Sequence, residues 1–259
     1  MHFVYESVRS VINNLKTTDN VRLEGDAPSL TIIVPVLNEI ERLPFLLEEL
    51  AQVQADQTII VDGGSTDGSL QWLDKHFISG EKESHILIHS DAGRAKQMNA
   101  GARQATNDVL LFLHADTVLS KEIKQEVQKA ILKDHRWGRF NISFDDPSFM
   151  MNIIAFFMNV RSKLSQVATG DQAMFIDRSL FEEVSGFDDI ALMEDVAMSK
   201  KLVKLAYAPY SSSHRVITSA RRWKKNAVLR TVVKMWWYRL AYCLGVSPDF
   251  LAQGYRNIR

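Results

Sequence analysis

Short apolar runs and amphipathic stretches alternate along the first 137 residues. Leu30–Val36 (LTIIVPV), Thr58–Val61 (TIIV), His85–His89 (HILIH) and Val109–Leu113 (VLLFL) are runs rich in β-branched and aliphatic residues. Apolar runs this short, bounded by polar loops, predict strands buried on both faces. Between and after them, Arg42–Gln54, a stretch ending near Phe77, Ala95–Gln104 and residues 121–133 repeat their apolar positions at helical spacing. The alternation predicts an α/β protein with a mostly parallel central sheet and helices on both faces. Ahead of it, Val4, Val8, Ile12 and Leu15 predict a short helix over residues 3–16, with a linker around Gly25 and Pro28. Residues 1–28 thus read as an N-terminal helix and linker. After residue 137 the alternation weakens to a strand or two, an apolar segment over 149–160, and helices near 179–184, 194–204 and 226–243.

In open parallel sheets, ligands bind outside the carboxyl ends of the strands. The polar loops around Asn38, Asp62 and Asp116 fall there. Asp62 follows TIIV directly and opens DGGSTDGS. Glycines let the backbone approach a ligand, and a carboxylate at this place can accept N–H groups of a base or ribose hydroxyls. Asp67, further along the loop, reads as the cap of the next helix. Gly63, Gly64 and Gly68 do not have the GxGxxG spacing, and no GK[ST] phosphate loop occurs, which counts against hydride transfer and P-loop chemistry. Asp116 ends the strand VLLFL within His114-Ala115-Asp116. Side chains two residues apart at a strand end project the same way, so His114 and Asp116 can face one Mn²⁺ or Mg²⁺ completed by substrate phosphates and water. A helix cap beside a solvated histidine is the plainer alternative. Arg94 and Lys96, at the start of the helix after the third strand, suit a phosphate or a nucleobase edge. For Lys96, ordinary surface charge explains as much.

Bulk properties alter this picture only in places. The 259-residue chain is 46% hydrophobic and 24% charged with zero formal net charge, as expected of a folded globular protein. Its charge is nonetheless uneven: Val196–Pro248 contains no Asp or Glu but many Lys and Arg, which implies an anionic ligand or surface. Cys243 is the only cysteine, so neither an intrachain disulfide nor a cysteine-rich metal site is expected, in keeping with a reducing cytoplasm. The start MHFVYESVRSVINNLK has no basic leader before an apolar core, so a secretory signal is not expected. Phe149–Val160 (FMMNIIAFFMNV) is shorter than the roughly 20 residues that span a bilayer. We read it as a buried helix, with an interfacial helix as the alternative.

The segments TIIVPVLNE, IIVDGGSTDGS, GRAKQMNAGA, VLLFLHADT, GDQAMFI, GFDDIALMEDV and TSARRW, in this order, resemble the family 2 glycosyltransferases with a GT-A fold. The likeness covers about residues 30–255 and is greatest to a small bacterial, non-processive subgroup carrying HAD in place of the acidic metal triplet. It implies one GT-A domain over 29–255, with a nucleotide-binding half (29–137) and an acceptor-binding half (138–255). By resemblance, Pro35, Asn38, Glu39, Asp62, Arg94, Ala115 and Asp116 line the nucleotide site, with Asp62 on the base. Asp116, with His114 beside it, would hold Mn²⁺ or Mg²⁺. The Glu194-Asp195 pair matches the family's ED motif, which makes Asp195 the candidate general base. Gly170, Asp171 and Gln172 match the segment flanking the acceptor, and Arg221, Arg222 and Trp223 match the RW element near the diphosphate. The triplet's first carboxylate is His114 here, which weakens the metal reading. Ser219 stands where processive relatives carry Gln, which argues against polymerisation.

The resemblance thus implies inverting, metal-dependent transfer from a nucleotide sugar, by analogy a UDP-sugar, to a hydroxyl acceptor. Two alternatives stand beside it. One is a transferase placed peripherally at the inner face of the membrane, acting on a polyprenyl phosphate or other lipid. The other is a non-catalytic nucleotide- or polyanion-binding protein on the same scaffold. Nucleic-acid binding is not expected, because the basic residues lie among apolar ones and no recognised module is present.

Overall fold

The computed structural model describes residues 27–77, 84–220 and 228–256, so the expected helix over 3–16 lies outside the described residues. The chain order is β1 (Leu30–Val36), α1 (Leu43–Val53), β2 (Gln57–Asp62), α2 (Ser69–His76), β3 (His85–His89), α3 (Arg94–Gln104), β4 (Val109–Phe112), β5 (Thr117–Val118), α4 (Ile123–Leu132), β6 (Trp137–Phe144) and α5 (Phe149–Ser165). A 3₁₀ turn at Gly170–Gln172 leads into β7 (Met174–Asp177), α6 (Arg178–Glu183), α7 (Glu194–Lys204), β8 (Tyr210–Thr218), α8 (Val228–Cys243) and α9 (Pro248–Arg256).

One eight-stranded sheet in the order β3-β2-β1-β4-β7-β6-β8-β5 runs through both halves. Its first four strands are parallel, as the sequence predicts. Beyond β4 the direction is mixed: β7 is antiparallel to β4 and β6, β8 is parallel to β6, and β5 antiparallel to β8. The apolar runs have no polar face because both sides of the sheet are covered. Ile32 and Val34 of β1 and Leu111 of β4 point to one core, with Leu43 and Leu46 of α1 and Ile123 and Val127 of α4. Their neighbours Ile33, Leu110 and Phe112 point to the other, with Met98 of α3, Leu180 of α6 and Met198 of α7.

The structure departs from expectation in three ways, two of them after residue 137. Beyond that residue there are three long or medium strands instead of one or two. In β8 (YSSSHRVIT), burial alternates residue by residue while two of the three buried positions, Ser212 and Thr218, are polar, so no apolar run marks it. The two-residue β5 is too short to leave any pattern. The third departure concerns the apolar segment, which forms α5 over Phe149–Ser165. Its Ser148 hydroxyl accepts the Met151 N–H at 3.4 Å as an N-cap. Met151, Ile154 and Ala155 are buried, but Phe149, Phe156, Phe157 and Leu164 face solvent. The buried reading therefore holds for one face only, and the corrected view is a helix apolar on two sides. Among the described residues no helix is long and apolar enough to cross a membrane.

The two-sided core makes a direct prediction. Leu111→Ala, at a fully buried position, should cost about 2–5 kcal/mol, while Leu132→Ala, 64% exposed, should stay within about 0.5 kcal/mol. Urea unfolding midpoints of the two variants check the contrast.

Candidate active site

The site begins at the carboxyl ends of β1, β2 and β4. The loops after β1 and β2 are laced together. Asn38, at φ 57°, donates its N–H to Ser65 Oγ (2.9 Å) and accepts the Thr66 N–H on its side-chain oxygen (2.8 Å). The Glu39 N–H donates to Ser69 Oγ (3.0 Å). Asp67 accepts the Ser69 N–H on one oxygen and the Ile40 N–H on the other, so it ties the start of α2 to the neighbouring loop, while the N-cap position expected for it falls to Gly68. Pro35 and Asp62 lie side by side at the ends of paired strands, Pro35 opposite Val61 and Asp62 opposite Val36. Gln97 of α3 donates from Nε2 to both Val36 O and Val61 O (2.8 Å each), which holds these strand ends together from beneath.

Asp62 is 1% exposed. Its Oδ2 accepts the N–H groups of Gly64 (2.9 Å) and Ser65 (3.0 Å), whereas its Oδ1 is buried without a hydrogen-bond partner. A buried carboxylate oxygen without a donor is costly. It therefore marks a position where a ligand N–H or O–H would restore the missing bond.

A cleft opens where β4 meets the second half. It is lined by Arg94, His114, Asp116, Asp171, Glu194 and Asp195, with Met235, Tyr238 and Arg239 of α8 on its far wall. Strand β4 ends at Phe112, so a tight turn closed by the Thr117 N–H on His114 O (3.0 Å) presents His114 and Asp116, instead of the strand pleat assumed from spacing. Arg42 Nε donates to Ala115 O (3.0 Å) and steadies this turn from α1. The Ala115 side chain is buried in the core and shapes the turn.

On the opposite wall, Gly170 lies so close to the His114 ring that a Cβ would come within 2.2 Å of Cε1 and Nε2. Only glycine fits there. Its N–H donates to Asp195 Oδ2 at 2.6 Å, and the Val196 N–H donates to Asp195 Oδ1 at 2.7 Å. Asp171 faces the cleft, but Gln172 is fully buried and spends its amide oxygen on Thr169 and Ser162. The Gln172 side chain thus supports the turn from within. Asp195 stands in the first turn of α7, where Glu194 pairs with Arg94 across the cleft at 3.8 Å. Burial first and the neighbouring Glu194 second push the Asp195 carboxyl up to about 7, against the pull of the Gly170 and Val196 N–H groups and Arg94. Beneath the cleft, burial lowers the Arg161 guanidinium, which faces Asp171 and Asp195; burial and the Arg161 charge bring Arg139 down to about 10.

The donor set bears on the metal. Among the described residues no three His, Cys, Asp or Glu side chains converge as metal ligands. Asp116 and His114 on one wall fit a hard divalent ion that takes its remaining oxygens from substrate and water, and they do not make a closed protein site. The candidate residues Arg221, Arg222 and Trp223 lie outside the described residues. The segment before them is anchored where the Ala220 N–H donates to Asp145 Oδ1 at 2.8 Å.

Sequence reasoning missed Gln97, Arg42 and Arg161. Each acts on backbone ends or buried charges far away in the chain. The only sequence signal is a long polar side chain at a helix position that turns out to face inward.

Comparison with known proteins bears on the family and the fold. The family model described as "Glycosyl transferase family 2" matches residues 31–185. An undecaprenyl-phosphate 4-deoxy-4-formamido-L-arabinose transferase of Yersinia enterocolitica is 35% identical over 95 residues, 34% of this chain and 28% of that protein. A PGL/p-HBAD biosynthesis glycosyltransferase of Mycobacterium bovis is 38% identical over 97 residues, 36% of this chain and 37% of that protein. The chain thus spans only about a third of the length of the curated relatives it matches. Among solved structures, a Pyrobaculum calidifontis mannosyltransferase in complex with GDP-Man and Mn²⁺ superposes with TM-score 0.59 at 16% identity. That match covers 98% of this chain and 76% of the other. S. aureus TarS 1–349 in complex with UDP-GlcNAc gives TM-score 0.55 at 18% identity, covering 74% and 59%. At these identities the structural likeness bears on the fold alone, which is GT-A.

The contact between Gly170 and His114 is testable as a pair. Gly170→Ala should destabilise the protein by about 1–3 kcal/mol through overpacking. His114→Ala removes the obstructing ring, so the double variant should recover most of that loss. A double-mutant cycle from thermal unfolding checks it, and simple additivity would contradict the geometry.

Proposed function

Because the chain belongs to glycosyl transferase family 2, we propose that it moves a sugar from a nucleotide-sugar donor, a UDP-sugar, to a hydroxyl acceptor in one inverting, non-processive step. The observation that carries this reading is Asp195. It is a carboxylate with its titration raised to about 7, in the same cleft as Asp116 and Arg94. A general base works best with its pKa near the working pH, and burial has brought an aspartate there.

In this reading the Asp62 Oδ1 accepts the base or ribose donor it lacks in the free protein. Glu39 and Asn38 wall the nucleotide, and Asp116, with His114 beside it, would hold the Mn²⁺ or Mg²⁺. When bound, that ion supplies electrostatic stabilisation of the departing diphosphate. The acceptor hydroxyl lies against Asp195. As the acceptor oxygen attacks the anomeric carbon, its proton passes to Asp195 and the bond to the nucleoside diphosphate breaks on the opposite face. The N–H groups of Gly170 and Val196 fix the carboxylate at the cleft wall, one on each oxygen. Arg94 offsets charge at the diphosphate end and keeps Glu194 occupied. A base held at this pKa supports catalysis over mere polyanion binding, which needs no positioned proton acceptor.

The relatives named for undecaprenyl-phosphate transfer favour a lipid-borne acceptor as a second reading. The solvent-facing aromatic residues of α5 support it. In that case the same base and cleft serve a hydroxyl or phosphate carried by a lipid.

Asp195→Asn should lower kcat by at least about 10²-fold while leaving donor binding nearly unchanged, because a base acts only in the chemical step. Nucleoside diphosphate release across a panel of nucleotide sugars, beside donor-binding calorimetry, separates the two effects. Below pH 7 Asp195 takes up a proton and cannot accept another, so wild-type kcat/KM should fall about tenfold per pH unit below the Asp195 pKa. A flat profile between pH 5 and 8 contradicts the assignment. Asp116→Ala should abolish the stimulation by Mn²⁺ or Mg²⁺, and full wild-type activity in excess chelator would remove the metal role.

A further inference from the structure

Among the described residues, the outward face of α5 has no partner. Phe149, Met150, Phe156, Phe157, Val160 and Leu164 are all exposed, Phe149 and Leu164 by about four fifths (80% and 81%). At 100° per residue these six positions fall within about 120° of the helix circumference, so they form one continuous stripe. An amphipathic helix normally turns such a stripe inward; here α5 buries Met151, Ile154 and Ala155 and still shows a second apolar face to solvent. Helix α8 repeats the arrangement. Trp236, Trp237 and Leu240 are each more than half exposed, and Phe250 of α9 is 67% exposed. The two helices are neighbours, because Met235 of α8 packs on the cluster made by Met151 and Ile154 of α5.

Charge decides what such a surface fits. Neither Phe149–Ser165 nor Val228–Cys243 contains an Asp or Glu. Lys163 is exposed on α5, while Lys234 and Arg239 flank the tryptophans of α8. In the sequence, RRWKKNA leads directly into α8 with four more cations. Apolar helix faces bearing tryptophan and phenylalanine beside lysine and arginine, with no acid between them, complement an anionic lipid surface. A protein partner of opposite charge would need no row of phenylalanines, and a second copy of this chain would set cation against cation.

We propose that α5 and α8 dock this protein peripherally on an anionic lipid bilayer. Met235, Tyr238 and Arg239 on α8 also line the cleft with Asp195, so the docked face and the acceptor side of the cleft share one helix. Docking thus places the cleft wall at the bilayer, where a lipid-borne acceptor can enter sideways. Only this last consequence rests on the transferase reading; the docking itself does not.

The test uses the full chain without donor or acceptor, in co-sedimentation with vesicles of phosphatidylcholine alone and of phosphatidylcholine mixed with phosphatidylglycerol. Wild type should sediment with the anionic vesicles, less so in high salt, and little with the neutral ones. Phe157→Glu and Trp237→Glu, both at exposed positions, should each weaken binding by about tenfold or more with an unchanged melting temperature. Slow donor hydrolysis should also be unchanged in both variants. Wild type that stays in the supernatant with every vesicle overturns the proposal, as do variants that bind like wild type. A dimer that Phe157→Glu dissociates, without vesicle binding, would assign the face to a second copy. If no nucleotide sugar is turned over yet anionic vesicles still bind, the transferase reading fails and the docking surface stands.

Discussion

Within the cleft, the two halves of this protein approach most closely at Gly170. Its Cα rests against the His114 ring at the end of the first-half sheet, and its N–H is held by Asp195 at the start of α7. Any side chain at 170 would force these walls apart. The turn that carries it is made rigid by Gln172, whose buried amide oxygen is shared by Thr169 and Ser162. Close approach therefore sets both the width of the cleft and the surroundings of its carboxylates. The raised titration of Asp195 comes from burial and the neighbouring Glu194, and the Gly170 N–H works against it.

The Asp62 side of the site depends on a different kind of rigidity. There the loops after β1 and β2 hold each other by side-chain-to-backbone hydrogen bonds, and Gln97 ties the strand ends from below. The result is a preorganised wall with one buried carboxylate oxygen, on Asp62, still lacking a donor. Preorganisation of this sort spares the ligand the entropy of ordering loops on binding. The Asp116 side is sparse by contrast, with Asp116 and a histidine pressed against a glycine.

How much of this was legible in advance varied with the range of the interactions. The four parallel strands, their helices and the strand-end loops carrying Asn38, Asp62 and Asp116 could be read from apolar runs and glycine-rich turns, because a sheet covered on both faces imposes continuous hydrophobicity. Helix α7 over Glu194–Lys204 was also visible in its spacing. Strand β8 was not, since its buried positions include Ser212 and Thr218, which neighbouring elements satisfy. Ala115 and Gln172 were assigned to ligand contact by position in a motif, and packing turned both side chains inward.

The sequence by itself determined the α/β alternation, the strand-end acids and, through its ordered motifs, membership in a glycosyltransferase family. Local propensity and periodicity encode these features, and they need no knowledge of what lies across the molecule. Only the tertiary structure decided that Asp195 meets Gly170 across 25 positions of chain, that Arg94 faces Glu194, and that α5 turns a second apolar stripe outward. Those outcomes are set by desolvation and contact between distant segments. A run such as FMMNIIAFFMNV carries the same apolar signal whether its two sides meet a core, a solvent boundary or a bilayer.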